Sequence, residues 1–414
     1  MRVVVFEDKH VLRLYPMAVA RPAYAITCGS NRLIDWLRVL DCPLGGIVRP
    51  YLTVLQQVDF PDLHSPSVTA GETVMFVNAR LVPSHTNSIR LQDLISEGQP
   101  GILRQDDHIV VMIRTIEAKN ELSWIGLDSL LTDTVASSLP PLQSSEDLAI
   151  FNYSHDIIAE NMTILDENLS FRLAAGTLTE VQDGLFVGSD VKLPEYYSCD
   201  TSEGPIILDD GVSVGPFCYL NGPGYVGKGS RLIEHAAIKD GVSIAHTVKV
   251  GGEVEASIIE PYTNKQHYGF LGHSYLGSWI NLGAGTCNSD LKNTYGKINM
   301  EYPTGRVATG MQFVGCMIGD YSKSAINTGI FTGKTIGVCS MLYGFITTNV
   351  PSFVNYARLF GQVTEIPPDI MVNTQQRMFS RRKVEQRQCD IQLLYDMYEL
   401  TRSERQMAGE QLSL

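Results

Sequence analysis

Between Asn264 and Asn293 the chain gathers the side chains best suited to move protons and hold polar ligands: Asn264, Lys265, His267, His273, Tyr275, Asn281, Asn288, Asp290, Lys292 and Asn293. An imidazole exchanges a proton near neutral pH, a carboxamide fixes a carbonyl or hydroxyl group, and an ammonium meets a phosphate as a point charge. A lone histidine is more often structural. His273 is read as a base because glycines bracket its motif at Gly272 and Gly277 and the other polar residues crowd around it. The chemistry on offer is proton abstraction from a polar substrate held by amides and cations.

Holding these residues still falls to a repeat. From Leu208 every sixth residue is apolar: Leu208, Val214, Leu220, Val226, Leu232, Ile238, Ile244, Val250 and Ala256. Neither a helical period of about 3.6 nor a strand period of about 2 gives such a run, so the unit is six residues long. A second run, Leu276, Leu282, Ile318, Ser324, Ile330, Ile336 and Leu342, keeps the spacing in a new phase. Three hexads make one triangular coil of about 18 residues, so 185–350 predicts a parallel β-helix of roughly seven to nine coils. Gly215, Gly227 and Gly251 follow apolar positions and are expected to supply φ > 0 at the corners. The phase breaks at about 260–274 and 288–312 are expected to be ejected loops, where function usually resides.

The remaining elements frame the array. Residues 1–150 read as a Rossmann-like α/β domain, with a strand at Val3–Phe6, a helix near Asn31–Leu40, and apolar runs at Thr73–Val77 and Ile109–Ile113. Pro140 and Pro141, then Ser144 and Ser145, mark its boundary. In the connecting stretch 151–184, Ser154–Leu169 predicts a helix with Ile157, Ile158, Met162 and Leu165 on one face. Residues 351–414 predict a helical tail whose basic run, Arg377, Arg381, Arg382 and Lys383, reads as a solvated face. A net charge of −13 argues against nucleic-acid or anionic-membrane partners, and 44% hydrophobic with 19% charged residues suits a globular protein. Eight cysteines without a C-x-x-C pair fit reduced thiols, and no apolar stretch of about 18 residues occurs, so the expected location is the cytoplasm.

The segment Gly-His-Ser-Tyr-Leu-Gly-Ser-Trp-Ile-Asn-Leu-Gly-Ala-Gly-Thr-Cys-Asn-Ser-Asp, 272–290, resembles the acetyltransferase motif of bifunctional N-acetylglucosamine-1-phosphate uridyltransferase/glucosamine-1-phosphate acetyltransferases. With Gly-Gly-Glu-Val-Glu-Ala-Ser-Ile-Ile and Asn-Lys-Gln-His ahead of it, the chain is similar to the bacterial group described as sugar nucleotidyltransferases of that type. The resemblance is strong over 200–350 and weaker before 150. It implies a shortened nucleotidyltransferase-like domain, a left-handed parallel β-helix, a homotrimer, and acetyl-CoA bound between subunits. It further implies an amino sugar phosphate or nucleotide-linked amino sugar as acceptor. By the same resemblance His273 is the general base, Lys265, Tyr275 and Asn281 contact substrate, and Asn288 and Lys292 contact the acetyl-CoA. The family's Gly-rich phosphate loop has no counterpart in Phe6-Glu7-Asp8-Lys9-His10-Val11-Leu12-Arg13-Leu14, and Asn78 stands where the family carries a magnesium-binding aspartate. Those departures imply a degenerate or ligand-binding N-terminal domain, with Arg21, Pro22, Asn78 and Arg80 as the residues to test. Two alternatives remain: a UTP- or dTTP-dependent sugar-1-phosphate nucleotidyltransferase using Mg²⁺, and a non-catalytic trimeric scaffold that binds nucleotide sugars.

Overall fold

The structure, a computed structural model, describes residues 1–63, 67–117, 120–142 and 148–407. The expected boundary residues Ser144 and Ser145 lie outside the described residues, as does the tail beyond 407. Two compact units emerge: Met1–Leu14, Arg21–Ile26 and Asn31–Asn152 form one, and Tyr15–Ala20, Thr27–Ser30 and Tyr153–Leu414 the other. Among the described residues no helix is long and apolar enough to cross a membrane.

The first unit is built on a five-stranded sheet in the order Leu44–Ile47, Arg2–Phe6, Thr73–Asn78, His108–Thr115, Gly101–Gln105. The first three strands run parallel, while His108–Thr115 is antiparallel to both of its neighbours. The sheet is therefore mixed rather than doubly wound. Its two central parallel strands are almost continuous apolar runs, as burial on both faces requires, and Val3, Val4, Val5, Val74, Met75 and Phe76 are fully buried. Helices Leu33–Val39, Thr53–Asp59, His85–Glu97 and Trp124–Thr132 complete the layers.

The second unit is a parallel β-helix followed by helices. Its three faces are parallel sheets, the first running in strands from Leu185–Val187 to Lys334–Ile336, the second from Ser213–Val214, and the third from Tyr197–Asp200. Hexad residues stack in register coil upon coil: Leu208, Val226, Ile244, Ile259, Leu276, Ile318 and Ile336 make one inward column. Such columns form one contiguous core.

The glycines do a different job from the one expected. Gly215, Gly227 and Gly251 are absent from the positive-φ positions; instead a Cβ on each would lie 2.5, 2.7 and 2.2 Å from backbone of the next coil. The left-handed conformation usually falls two residues later, at Phe217 and Gly229, for example. The first phase break is also not a loop. Strands Asn264–Lys265 and Phe270–Gly272 stay paired with the preceding coil. The second break is a true excursion, carrying the hairpin Asn299–Tyr302 and Gly305–Ala308.

Helix Asp156–Ala174 covers outward residues of the first face, where Leu165 and Leu169 pack with Ile207 and Tyr225. Met162, expected on its buried face, is 41% exposed, whereas Asn161 and Asn168 are buried. Each carboxamide is satisfied by backbone: Asn161 donates to Gly241 O at 2.9 Å and Asn168 to Gly29 O at 2.8 Å. The tail helices are Pro368–Arg381, Gln388–Leu400 and Arg402–Met407. Phe379 of the first stacks on Trp279, 4.3 Å between ring centres, and Trp279 on Tyr262 at 4.2 Å.

Candidate active site

His273 occupies a corner between the third and first faces in the left-handed conformation, φ 43°, which is uncommon for any residue with a Cβ. Backbone bonds on both sides hold it there: its N–H donates to Glu255 O at 3.1 Å and its carbonyl accepts from Gly315 N–H at 2.8 Å. Its Nδ1 lies 2.9 Å from Asp290 Oδ2. A carboxylate only accepts, so Nδ1 carries the proton of this bond, and in the neutral ring Nε2 is the acceptor. The ring stacks on Phe313, centroids 5.1 Å apart, at the returning end of the 289–315 excursion. Gly272 is required beside this pair because a Cβ there would stand 2.3 Å from Asp290 Oδ2.

Asn288 supports the same corner from inside. It takes an inward position in its coil, accepts from Gly272 N–H at 2.9 Å and donates to Gly272 O at 3.0 Å. Its amide is thus engaged one residue before the histidine, where a contact with the acyl donor was expected. Lys265 is corrected more sharply. It replaces an apolar residue in the inward column after Val250, and its Nζ donates to the carbonyls of Gly251, His267 and Gly269 at 2.7, 2.8 and 2.7 Å. All three donors are used, so the ammonium closes its own turn instead of meeting a substrate phosphate. Burial pulls its pKa down to about 8.

Tyr275 is fully buried, and its hydroxyl donates to Glu260, which also accepts from Thr27 N–H at 2.9 Å. That places it inside the protein, away from any acceptor sugar approaching from solvent. Asn281 is exposed on the second face, where it accepts from Asn264 Nδ2 at 3.5 Å, and does not join His273 within the chain. Lys292 belongs to the excursion and donates to Lys297 O at 2.5 Å. His267 is exposed. The residues that sequence reasoning left without a role are Asp290, the hydrogen-bond partner of His273, and Phe313. Asp290 lies 17 residues from His273, about one coil, and that spacing was the available signal.

In the first unit, two ion pairs occupy the carboxyl ends of the parallel strands. Glu7 is buried against Arg49 in a fork, with Nε to Oε2 and Nη2 to Oε1 both at 2.9 Å. Asp8 receives Arg80 Nη2 at 2.8 Å and Nε at 3.1 Å, while Asn78 Nδ2 donates to Asp8 Oδ2 at 2.9 Å and to Ile109 O at 2.8 Å. Burial alone would raise the Asp8 carboxyl, but Arg80, aided by Asn78 and His10, holds it below its usual 3.8. The carboxamide of Asn78 is therefore spent on positioning Asp8, and Arg80, fully buried, also donates to Phe151 O at 2.7 Å.

Residues 3–175 match the family described as sugar nucleotidyl transferase. The resemblance seen in the sequence holds. Among curated relatives, the "Bifunctional protein GlmU" of Ralstonia pickettii is 28% identical over 226 residues, 45% of this chain and 49% of its own length. That of Thermotoga petrophila is 28% identical over 326 residues, covering 72% of this chain and 62% of the relative. The chain spans about half the length of the curated relatives it matches first. A solved UDP-N-acetylglucosamine acyltransferase from Francisella novicida is 15% identical, covering 55% of this chain and 82% of its own, with a TM-score of 0.27. At a distant level, then, this chain joins a domain matching sugar nucleotidyltransferases to a β-helix of hexapeptide repeats.

Proposed function

We propose that the β-helix is an acetyl-CoA-dependent acyltransferase acting on an amino sugar phosphate or a nucleotide-linked amino sugar. The observation that carries this reading is the His273–Asp290 pair: with Nδ1 donating to the carboxylate, the neutral ring presents Nε2 as its acceptor, and the ring stacks on Phe313. In the reaction the acceptor amine attacks the thioester carbonyl, Nε2 takes the amine proton, the C–S bond breaks, and the departing thiolate receives a proton from the imidazolium. A positioned base of this kind contributes about 10²–10⁴-fold. Asn288 and Lys265 serve as positioning residues. Asn281, on another face, joins such a site only across a boundary between copies, which is one reason to expect a homotrimer.

Purified protein is expected to release free thiol from acetyl-CoA when given glucosamine-1-phosphate or a related amine. His273→Ala should lose that release by at least about 10²-fold while its circular dichroism is unchanged. Unchanged turnover would remove the base from the mechanism.

The family match over residues 3–175 favours a second reading, a sugar-1-phosphate nucleotidyltransferase in the first unit. Pyrophosphate release from UTP or dTTP with a sugar-1-phosphate tests it. Magnesium would have to be held near Asp8 and Asn78, where the Asp8 carboxylate is already paired with Arg80, the neighbouring Glu7 is taken by Arg49, and the amide is a weak ligand for a hard cation. The residues present fit such an ion poorly, and no step is assigned to it.

A further inference from the structure

The second face of the β-helix carries positive charge at Lys249, on which, among the described residues, only cations bear. Arg231, Lys249 and Asn264 are outward residues of neighbouring parallel strands, aligned in register and separated by about 4.8 Å per coil. Like charges placed directly beside one another in a sheet repel. Helix Pro368–Arg381 then adds two more cations at its end, Arg381 and Arg382. Phe379, one turn back, is anchored on Trp279, so the end of the helix is fixed against the coil. Arg382 is half-buried and donates through Nη2 to Asn264 Oδ1 at 2.6 Å, which brings the guanidinium beside Lys249.

Among the described residues the charges bearing on Lys249 are Arg382, Arg231 and Arg381, all cations, and those bearing on Arg382 are Arg381 and the phenol of Tyr262. Burial first, then this mutual repulsion, lowers the pKa of both groups. The negative end of the helix offers about half a charge, too little for four cations. The sequence reading of a solvated helix face suits Arg377, Arg381 and Lys383, which are exposed, but not Arg382.

We propose that Arg231, Lys249 and Arg382, with the Asn264 amide, form an anion site for a phosphate-bearing small molecule, separate from the corner that holds His273. Guanidinium groups bind phosphate oxygens in pairs and an ammonium adds a point charge, so a diphosphate would engage the whole row. Within one chain the site lies on the second face, whereas His273 lies where the third face meets the first; in the association of copies that the acyl-transfer reading expects, it borders that reading's site through Asn281, which accepts from Asn264.

Titration calorimetry of the full chain with inorganic pyrophosphate tests the proposal. The wild type should bind with an affinity that falls as salt rises, and Lys249→Gln with Arg382→Gln should weaken it at least ten-fold. Arg377→Gln, which removes an exposed cation of the same helix, should bind as the wild type does. Melting curves establish that each variant is folded. Absence of binding at millimolar pyrophosphate, equal affinity in the double variant, or an equal loss in Arg377→Gln overturns the site. Displacement of pyrophosphate by coenzyme A would identify the coenzyme's phosphates as the source. Coenzyme A binding alongside pyrophosphate would assign the site to a separate phosphate compound.

Discussion

Asp290 is the residue on which the proposed chemistry of His273 turns. Its carboxylate is 2.9 Å from Nδ1 and largely buried, so in the proposed reaction it would hold Nδ1–H in place and steady the imidazolium. Replacing it with asparagine keeps the shape but lets the amide donate to Nδ1, which presents the wrong tautomer. Asp290→Asn should therefore lower kcat for thiol release by at least about 10²-fold with little change in melting temperature. A loss confined to KM would mean that Asp290 binds substrate instead. Asp8 lends itself to a different measurement. Its folded pKa lies below the unfolded 3.8, so its stabilising contribution is complete above that value and disappears as pH falls through the lowered folded one. Relative to Asp8→Asn, the wild type should be more stable by about 2–4 kcal/mol at pH 6, with the gap closing by pH 2 in urea unfolding. A gap that widened on acidification would contradict the assigned direction.

At the scale of single elements, the coil shows two distinct demands on glycine. Gly227 has no positive φ, but a Cβ there would lie 2.7 Å from the Ala245 carbonyl carbon, in a backbone that cannot yield. Gly229 has open space around it but φ of 65°. Gly227→Ala should cost about 2–3 kcal/mol by overpacking, and Gly229→Ala about 1 kcal/mol through left-handed strain. Urea midpoints compare them directly, and the reverse order would show that corner conformation rather than coil spacing sets the requirement. The hexads made the coil legible because its core period appears in every turn. They concealed Lys265, since a lysine in an apolar column looks like a break in phase; only its three carbonyl partners, supplied by the fold of its own turn, reconcile it with the interior. Asn288 misled for the same reason. It is a polar residue in an inward position, satisfied by the backbone of Gly272.

At the scale of the whole molecule, legibility follows how far apart in the chain the partners lie. Strands and helices of the first unit show in local apolar runs, yet the Glu7–Arg49 and Asp8–Arg80 pairs join residues 42 and 72 positions apart and leave no local trace. The association of copies leaves a trace of another kind, in what remains uncovered. Outward residues of the first face are packed beneath the chain's own helix Asp156–Ala174, which removes that region as a contact for a second copy. Among the described residues, the third face and its corner with the second expose large apolar side chains beside charged ones: Phe217 is 58% exposed, Ile326 68% and Phe345 58%. Phe217 is also stacked between Tyr196 and His235, with centroid distances of 5.8 and 5.4 Å, so it is rigid before any partner arrives. Exposed, pre-ordered aromatic area of this sort is what an interface between copies uses. Light scattering should give a particle of three 45.7 kDa chains, as the acyl-transfer reading expects. Phe217→Asp combined with Ile326→Asp should yield single chains whose thiol release falls although His273 and Asp290 are untouched, because in the proposed reaction Asn281 would reach the base from a neighbouring copy. A fully active single chain would place the complete site within one protomer and require a donor other than Asn281 to hold the acceptor.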